Sequence, residues 1–233
     1  QLAFAVGHHD GDQRALTGFE VDLFDAVDPL RTPAARIEAP GDLDWAKVIR
    51  LAAISRWGIE AAVKRFVGMF AFALWDRTER VLYLVRDRLG EKPLYYGRMG
   101  KSILFGSELK ALRAHPDFKG EINRDALALY LRHNCIPAPY SIYRGVCKLP
   151  PGTMLAISDH GSPFPDPVRY WSVREAVEHG LAEPYTGSTE EAIAALDGLL
   201  RDTVSLQMVA DVPLGVFLSG GIDSSTVVAL MQA

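Results

Sequence analysis

Two uninterrupted apolar runs constrain this chain more than any other feature. Met69-Phe70-Ala71-Phe72-Ala73-Leu74-Trp75 sits between Gly68 and Asp76, and Val81-Leu82-Tyr83-Leu84-Val85 follows the polar stretch Asp76-Arg77-Thr78-Glu79-Arg80. Their length and flanks read as two strands joined by a hairpin connection. Strict alternation would leave one face wet, whereas continuous apolar runs require cover on both faces. The chain is therefore expected to place a sheet against another sheet or against helices on each side.

The neighbouring segments can be read around that pair. Val48, Leu51, Ala52, Ile54, Ile59, Ala62, Val63 and Phe66 fit two helical stretches within 47–67, broken near Gly58. Leu94-Tyr95-Tyr96 and Ile103-Leu104-Phe105 add two short strands, joined through 97–101. Glu108 to Ala114 reads as a short helix. A second helix runs from Arg124 to His133, with Leu127, Tyr130 and Leu131 on one face. Prolines at 137, 139, 150, 151, 163, 165 and 167 leave little room for helix over 135–170, although 153–157 suits a strand after the Pro-Gly turn. Residues 180–188 read as a linker. Ser188-Thr189-Glu190-Glu191 has the form of a capping box, and Ile193, Leu196, Leu200 and Val204 then line one face of a helix. An apolar strand over 212–218 closes the series. No period marks residues 1–44.

Composition narrows the function classes. The 233 residues carry 25 Lys+Arg against 29 Asp+Glu, are 48% hydrophobic and are 23% charged. This is the balance of a folded globular chain of one large or two smaller domains, not of long disorder. There is no basic excess to neutralise phosphates, which argues against nucleic acid as a partner. Cys135 and Cys147 are too few for a disulfide scaffold or a four-ligand zinc site, and read as incidental thiols in a reducing compartment. No apolar run reaches the roughly 20 residues that span a bilayer, and no signal segment opens the chain, so a cytoplasmic protein without membrane partners is expected. Residue 1 is Gln, and residues 224–233 read as a helix without a terminator. Both ends point to a piece of a longer chain.

The strongest chemical signal is Ser219-Gly220-Gly221-Ile222-Asp223-Ser224-Ser225, between the last apolar run and a helix starting near Asp223. The glycines allow close backbone approach and positive φ. Successive N–H groups and the helix N-terminus can then converge on an anion, with Ser219, Ser224 and Ser225 adding hydroxyl donors. Asp223 is out of place beside an anion unless a divalent cation is shared, and a carboxylate with phosphate oxygens is how Mg²⁺ is held. The alternative is a Gly-Gly turn with Asp223 as an N-cap and no ligand. The loop has neither the lysine of a Walker loop nor a Gly-x-Gly-x-x-Gly pattern.

Ser-Gly-Gly-x-Asp-Ser after a hydrophobic strand resembles the pyrophosphate loop of N-type ATP pyrophosphatases. Upstream, Arg86-Asp87-Arg88-Leu89-Gly90-Glu91-Lys92-Pro93-Leu94-Tyr95-Tyr96, Gly68-Met69-Phe70-Ala71-Phe72-Ala73, Phe105-Gly106-Ser107-Glu108-Leu109-Lys110-Ala111-Leu112, Leu149-Pro150-Pro151-Gly152 and Arg169-Tyr170-Trp171 resemble blocks of glutamine-hydrolysing asparagine synthetases, in family order from about Ala52 to Ala233. The resemblance implies an α+β, Ntn-hydrolase-like sandwich of antiparallel sheets over residues 1–180, incomplete, followed at 188–233 by the beginning of an α/β pyrophosphate-loop domain. It implies ATP and Mg²⁺ as cofactors. Ser219, Gly220, Gly221, Asp223, Ser224 and Ser225 would hold pyrophosphate, Asp223 the metal, and Phe217 and Leu218 would touch the adenosine end. Aspartate, glutamine or ammonia, and ATP are the implied substrates, and a homodimer is allowed. The block from Arg86 to Lys92 is expected to shape the sheet and the interface to the synthetase domain rather than to do chemistry.

The family pattern breaks at the start. Class II amidotransferases attack glutamine with an N-terminal Cys whose own amine is the base, whereas position 1 here is Gln. The Asn-Gly-Glu-x-Tyr-Asn segment of the family has no counterpart in 1–44. Aligning Trp57-Gly58 with the family's Trp-Gly puts Ala46 where the glutamine-anchoring Asp belongs, with Asp42 and Asp44 out of register. The chain as given is thus expected to have no catalytic nucleophile and no glutaminase activity. A gene fragment, a misread frame and a true pseudo-amidotransferase all fit. β-Lactam synthetases and lasso-peptide cyclases are Cys-less relatives of the last kind, and a non-catalytic nucleotide-binding module is the remaining alternative. His8-His9 lacks a third ligand, His115 and His133 read as helix-end residues, and Tyr95-Tyr96 as core.

Overall fold

The computed structural model describes residues 5–8, 45–76, 79–100, 102–158, 163–208 and 213–232. In chain order these form β1 (Ala5–His8), α1 (Trp45–Trp57), α2 (Ile59–Val63), β2 (Ala71–Asp76), β3 (Val81–Arg86), β4 (Tyr95–Met99), β5 (Ser102–Gly106), α3 (Leu109–Arg113), α4 (Arg124–His133), β6 (Val146–Lys148), β7 (Thr153–Ser158), β8 (Val168–Arg169), α5 (Val173–Ala182), α6 (Thr189–Gln207) and α7 (Ile222–Gln232). The strands make two four-stranded antiparallel sheets, ordered β1-β5-β4-β6 and β2-β3-β7-β8.

The apolar runs form the β2–β3 hairpin, registered from Ala71 opposite Arg86 to Asp76 opposite Val81. Its turn is closed by the Glu79 amide donating to Asp76 Oδ1 at 2.9 Å. Both faces of the pair are covered, as continuous hydrophobicity requires. Leu82 and Leu84 of β3 and Leu155 and Ile157 of β7 meet Tyr96 and Phe105 of the other sheet, so the sheets pack face to face. On the outer side, Phe72, Val85 and Met154 meet Ala62, Val63 and Phe66 around α2. The Phe66, Phe70 and Phe72 rings cluster there at 5.7–6.3 Å. Met99, Leu104 and Val146 on the outer side of the second sheet are covered by Ala111 and Leu112 of α3. Each fully buried Leu or Val contributes about 1.5–3 kcal/mol, so this layered interior carries the stability of 45–171.

Several expectations change. β4 extends through Met99, so the connection to β5 is shorter than 97–101. The face of α4 formed by Leu127, Tyr130 and Leu131 points outward, and its buried residue is Ala126. α4 is instead fixed by its ends: Asn123 Oδ1 accepts from the Asp125 and Ala126 amides, and Asn134 closes the helix at φ 56°. β6 was not visible in the sequence. α5 is a further element not expected above; it takes in Gly180 to Ala182 and shortens the linker to 183–188. The capping box is present, with Ser188 Oγ accepting from the Glu191 amide at 3.2 Å and Glu191 Oε2 accepting from the Ser188 amide at 2.8 Å.

The strand expected over 212–218 is not formed within 213–219. A strand of a parallel sheet exists only by pairing, and no described strand pairs with this segment. Its apolar side chains are open to solvent, Phe217 at 99% exposure. Asp42, Asp44 and His9 lie outside the described residues, and Ala46 lies in α1. Among the described residues no helix is long and apolar enough to cross a membrane.

Candidate functional site

Two places concentrate polar chemistry: the turn after β3 and the loop before α7.

The turn after β3 is a closed knot. Asp87 is fully buried. Its carboxylate accepts from the amides of Phe70 (3.2 Å), Glu91 (2.9 Å) and Lys92 (2.9 Å). The Asp87 carbonyl accepts from the Gly152 amide at 2.8 Å. Arg86, 7% exposed, donates from Nε to the Lys92 carbonyl, from Nη1 to the Leu149 carbonyl and from Nη2 to the Gly90 carbonyl, at 2.5–2.8 Å. Burial pushes this guanidinium down from its ordinary value, and the charge of Asp87 pulls it back up. The Arg86 carbonyl accepts from the Tyr170 hydroxyl at 2.7 Å. Each nitrogen of Arg86 and both oxygens of Asp87 thus engage main chain. Through Arg86 and Asp87 the block ties β3 to the turn at 87–92 and to Leu149 and Gly152, which is the sheet-shaping half of what its sequence suggested.

The loop at 219–225 is the opposite case. Gly220 takes φ 79°, which an L side chain rarely adopts, and no atom lies within 4 Å of where its Cβ would be. Ser219 to Asp223 are exposed. Ser224 Oγ donates to the Gly221 carbonyl at 3.1 Å, and Ser219 and Ser224 Oγ lie 2.9 Å apart. A hydroxyl has one proton, so with Ser224 engaged at Gly221 the proton between the two serines belongs to Ser219. Asp223 stands in the first turn of α7. The first amides of a helix lack intrahelical acceptors, so the turn presents donors beside these hydroxyls. The structure therefore groups Ser219, Gly220, Gly221, Asp223, Ser224 and Ser225 on one short loop and helix start, with Phe217 and Leu218 on the exposed approach to it.

These residues have the chemistry a polyphosphate needs, because the loop is exposed, its backbone at Gly220 is open, and hydroxyls stand beside the helix start. Among the described residues no group of three His, Cys, Asp or Glu could hold a metal by itself. A cation here would draw one oxygen from Asp223 and the rest from phosphate and water, which is the habit of Mg²⁺.

Neither cysteine is placed as a nucleophile. Cys147, in β6, is half-buried against the core between the sheets. Burial pushes its thiol up, while its hydrogen bond to Tyr96 holds the rise back. The Tyr96 hydroxyl is itself pushed up to about 12 by burial. Cys135 is exposed beyond the end of α4. With an aromatic disulfide reagent, Cys135 is expected to react at once and Cys147 only after denaturant is added. Two fast thiols would contradict the packing of Cys147.

Comparison with known proteins adds two family matches in chain order. Residues 44–171 match the glutamine amidotransferase domain, and residues 195–233 match asparagine synthase. Over 172 residues the chain is 38% identical to asparagine synthetase [glutamine-hydrolyzing] 3 of Bacillus subtilis, covering 73% of this chain and 26% of that protein. It is 34% identical over 174 residues to asparagine synthetase [glutamine-hydrolyzing] 1 of the same organism, with 74% and 26% covered. A similarity of 27% over 228 residues links it to the amidase chyE of Penicillium rubens, covering 96% of this chain and 31% of that protein. The chain thus spans about a quarter to a third of the length of these relatives. Among solved structures, a glutamine phosphoribosylpyrophosphate amidotransferase of B. subtilis overlaps 55% of the chain and 23% of its own, at 19% identity and a TM-score of 0.34, a likeness too loose to define the fold.

Proposed function

The chain belongs to the glutamine amidotransferase domain family, and on that premise we propose that it carries part of a glutamine-hydrolysing asparagine synthetase: most of the amidotransferase sandwich up to α5, the linker 183–188, and the opening of the synthase domain. One observation carries this reading. An antiparallel two-sheet sandwich and a serine- and glycine-rich loop opening a helix stand in one chain, in the order of the two family matches.

In this reading the whole protein makes asparagine from aspartate, with ATP cleaved to AMP and pyrophosphate. Glutamine or ammonia supplies the nitrogen. The residues of this chain act at the phosphate end. Amides around Gly220 and Gly221 and those of the first turn of α7 donate to phosphate oxygens, and the hydroxyls of Ser219 and Ser224 turn their protons from each other and from Gly221 toward the anion. Asp223 would hold Mg²⁺, which supplies charge neutralisation between the cleaved phosphates when bound. Phe217 and Leu218 would cover the adenosine side. Carboxylate activation is thereby assigned to residues 217–225, while the described part of the sandwich contributes framework. We place the protein in the cytoplasm, where its free cysteines stay reduced, and allow for a homodimer.

Titration calorimetry with Mg²⁺-ATP tests the reading. Asp223→Ala is expected to weaken binding at least about tenfold, near 1.4 kcal/mol, and to abolish the advantage of Mg²⁺-ATP over ATP alone. Unchanged binding in Asp223→Ala would remove the loop from the site.

A further inference from the structure

The path by which the chain leaves the sandwich has an abrupt boundary. Tyr170, Trp171 and Ser172 are half-buried, and every residue from 173 to 191 is exposed. α5, α6 and α7 contain no buried residue. Whatever sets the direction of this helical segment must therefore act at 170–172.

The contacts at that point are dense. Tyr170 packs against the outer core cluster that contains Phe66, Phe70 and Met154. Its hydroxyl donates to the Arg86 carbonyl at 2.7 Å. The Tyr170 amide donates to the Gly152 carbonyl at 2.9 Å and the Trp171 amide to the same oxygen at 3.3 Å, while the Gly152 amide donates to the Asp87 carbonyl at 2.8 Å. Ser172 then starts α5 by accepting from the Glu175 amide at 3.1 Å. The chain is held at one ring, one hydroxyl and two amides, and released at the next residue into a helix.

We propose that Tyr170 is a positioning residue: held between the outer core and the Arg86 carbonyl, it fixes the direction in which α5 leaves the sandwich, and so the side from which the synthase part is presented to the amidotransferase part. The functional half of this statement rests on the reading above. The structural half stands on the contacts alone. Two parts that must exchange ammonia gain from a fixed mutual placement, because a bound geometry replaces diffusion and loss to solvent. The amides hold the height of the strand end, and the Tyr170 side chain reaches across to the Arg86 carbonyl of β3. Losing its hydroxyl leaves the ring free to turn about its neighbours.

The test uses spin labels on the native Cys135 and on Glu178→Cys in α5, in a Cys147→Ser background, with distances measured by pulsed electron resonance. The parent is expected to give one narrow distribution. Tyr170→Phe is expected to widen it at least twofold while, in the otherwise unsubstituted chain, far-ultraviolet circular dichroism and the accessibility of Cys147 to thiol reagent stay unchanged, a pairing that unfolding of the sandwich would not produce. An unchanged width overturns the proposal. Hydrogen exchange on the unsubstituted chain gives an independent arm. The Tyr170 and Trp171 amides are expected to be at least tenfold better protected than those of Val177 to Leu181, and equal protection would show that α5 is held elsewhere. Both arms are blind to nucleotide, so failure of the Mg²⁺-ATP experiment and failure here are separable.

Discussion

Asp87→Ala is expected to cost the sandwich about 3–5 kcal/mol, the range for removing one partner from a buried charged network. The substitution leaves the Phe70, Glu91 and Lys92 amides without their acceptor. It also leaves Arg86, 7% exposed, without the neighbouring negative charge that offsets its burial. With a urea slope of about 2 kcal/mol/M, the unfolding midpoint moves down by about 2 M. Asp87→Asn keeps one acceptor oxygen but turns a donor toward an amide, so it falls between wild type and Ala. A midpoint shift of Asp87→Ala under about 0.5 M would show that the three amides find other acceptors and that the knot is not the fold's keystone.

Gly152→Ala is the second large effect. Gly152 takes φ 62°, and a Cβ there would collide with the carbonyl oxygen of Trp171. Left-handed backbone costs a non-glycine residue about 1–2 kcal/mol, and overpacking adds about 1–3 kcal/mol, for about 3 kcal/mol together. In a chain of this size that lowers the thermal midpoint by about 6–12 °C. The neighbours cannot yield cheaply, because the Trp171 carbonyl that the Cβ would strike is main chain and the Gly152 carbonyl also accepts from Tyr170 and Trp171. A midpoint within about 2 °C of the parent would mean that the 150–152 turn repacks without strain.

How much was legible beforehand follows the physics of each element. The β2–β3 hairpin could be read because burial on two faces writes itself into sequence as unbroken hydrophobicity. The capping box at Ser188 could be read because its bonds join residues three positions apart. β6 could not, since Val146-Cys147-Lys148 is three residues long and owes its pairing to β4, some 50 positions away. α5 did leave a signal, Val173, Val177 and Leu181 at helical spacing behind the Ser172-x-x-Glu175 cap, but the nearby prolines and Gly180 read as loop and linker. The run 212–218 was misleading for the reverse reason: strand-like composition does not make a strand without a neighbour to pair with. At the site, the serine and glycine spacing exposed the phosphate loop. The tie between Tyr170 and Arg86 spans 84 positions and left no local trace.

The partners of Arg86 have a consequence for how this block tolerates change. Its guanidinium reads carbonyl oxygens of Gly90, Lys92 and Leu149, and a carbonyl is the one group every amino acid supplies. Information therefore flows one way through the knot. Arg86 is irreplaceable because only a planar fork with five donors spans those oxygens at once, whereas Lys92 enters these bonds through its main-chain carbonyl and amide. A mutational scan of this turn would find Arg86 constrained by what its side chain binds and Gly90, which it touches, constrained by a φ of 70° and the lack of room for a Cβ, so neighbours in the knot are held for different reasons.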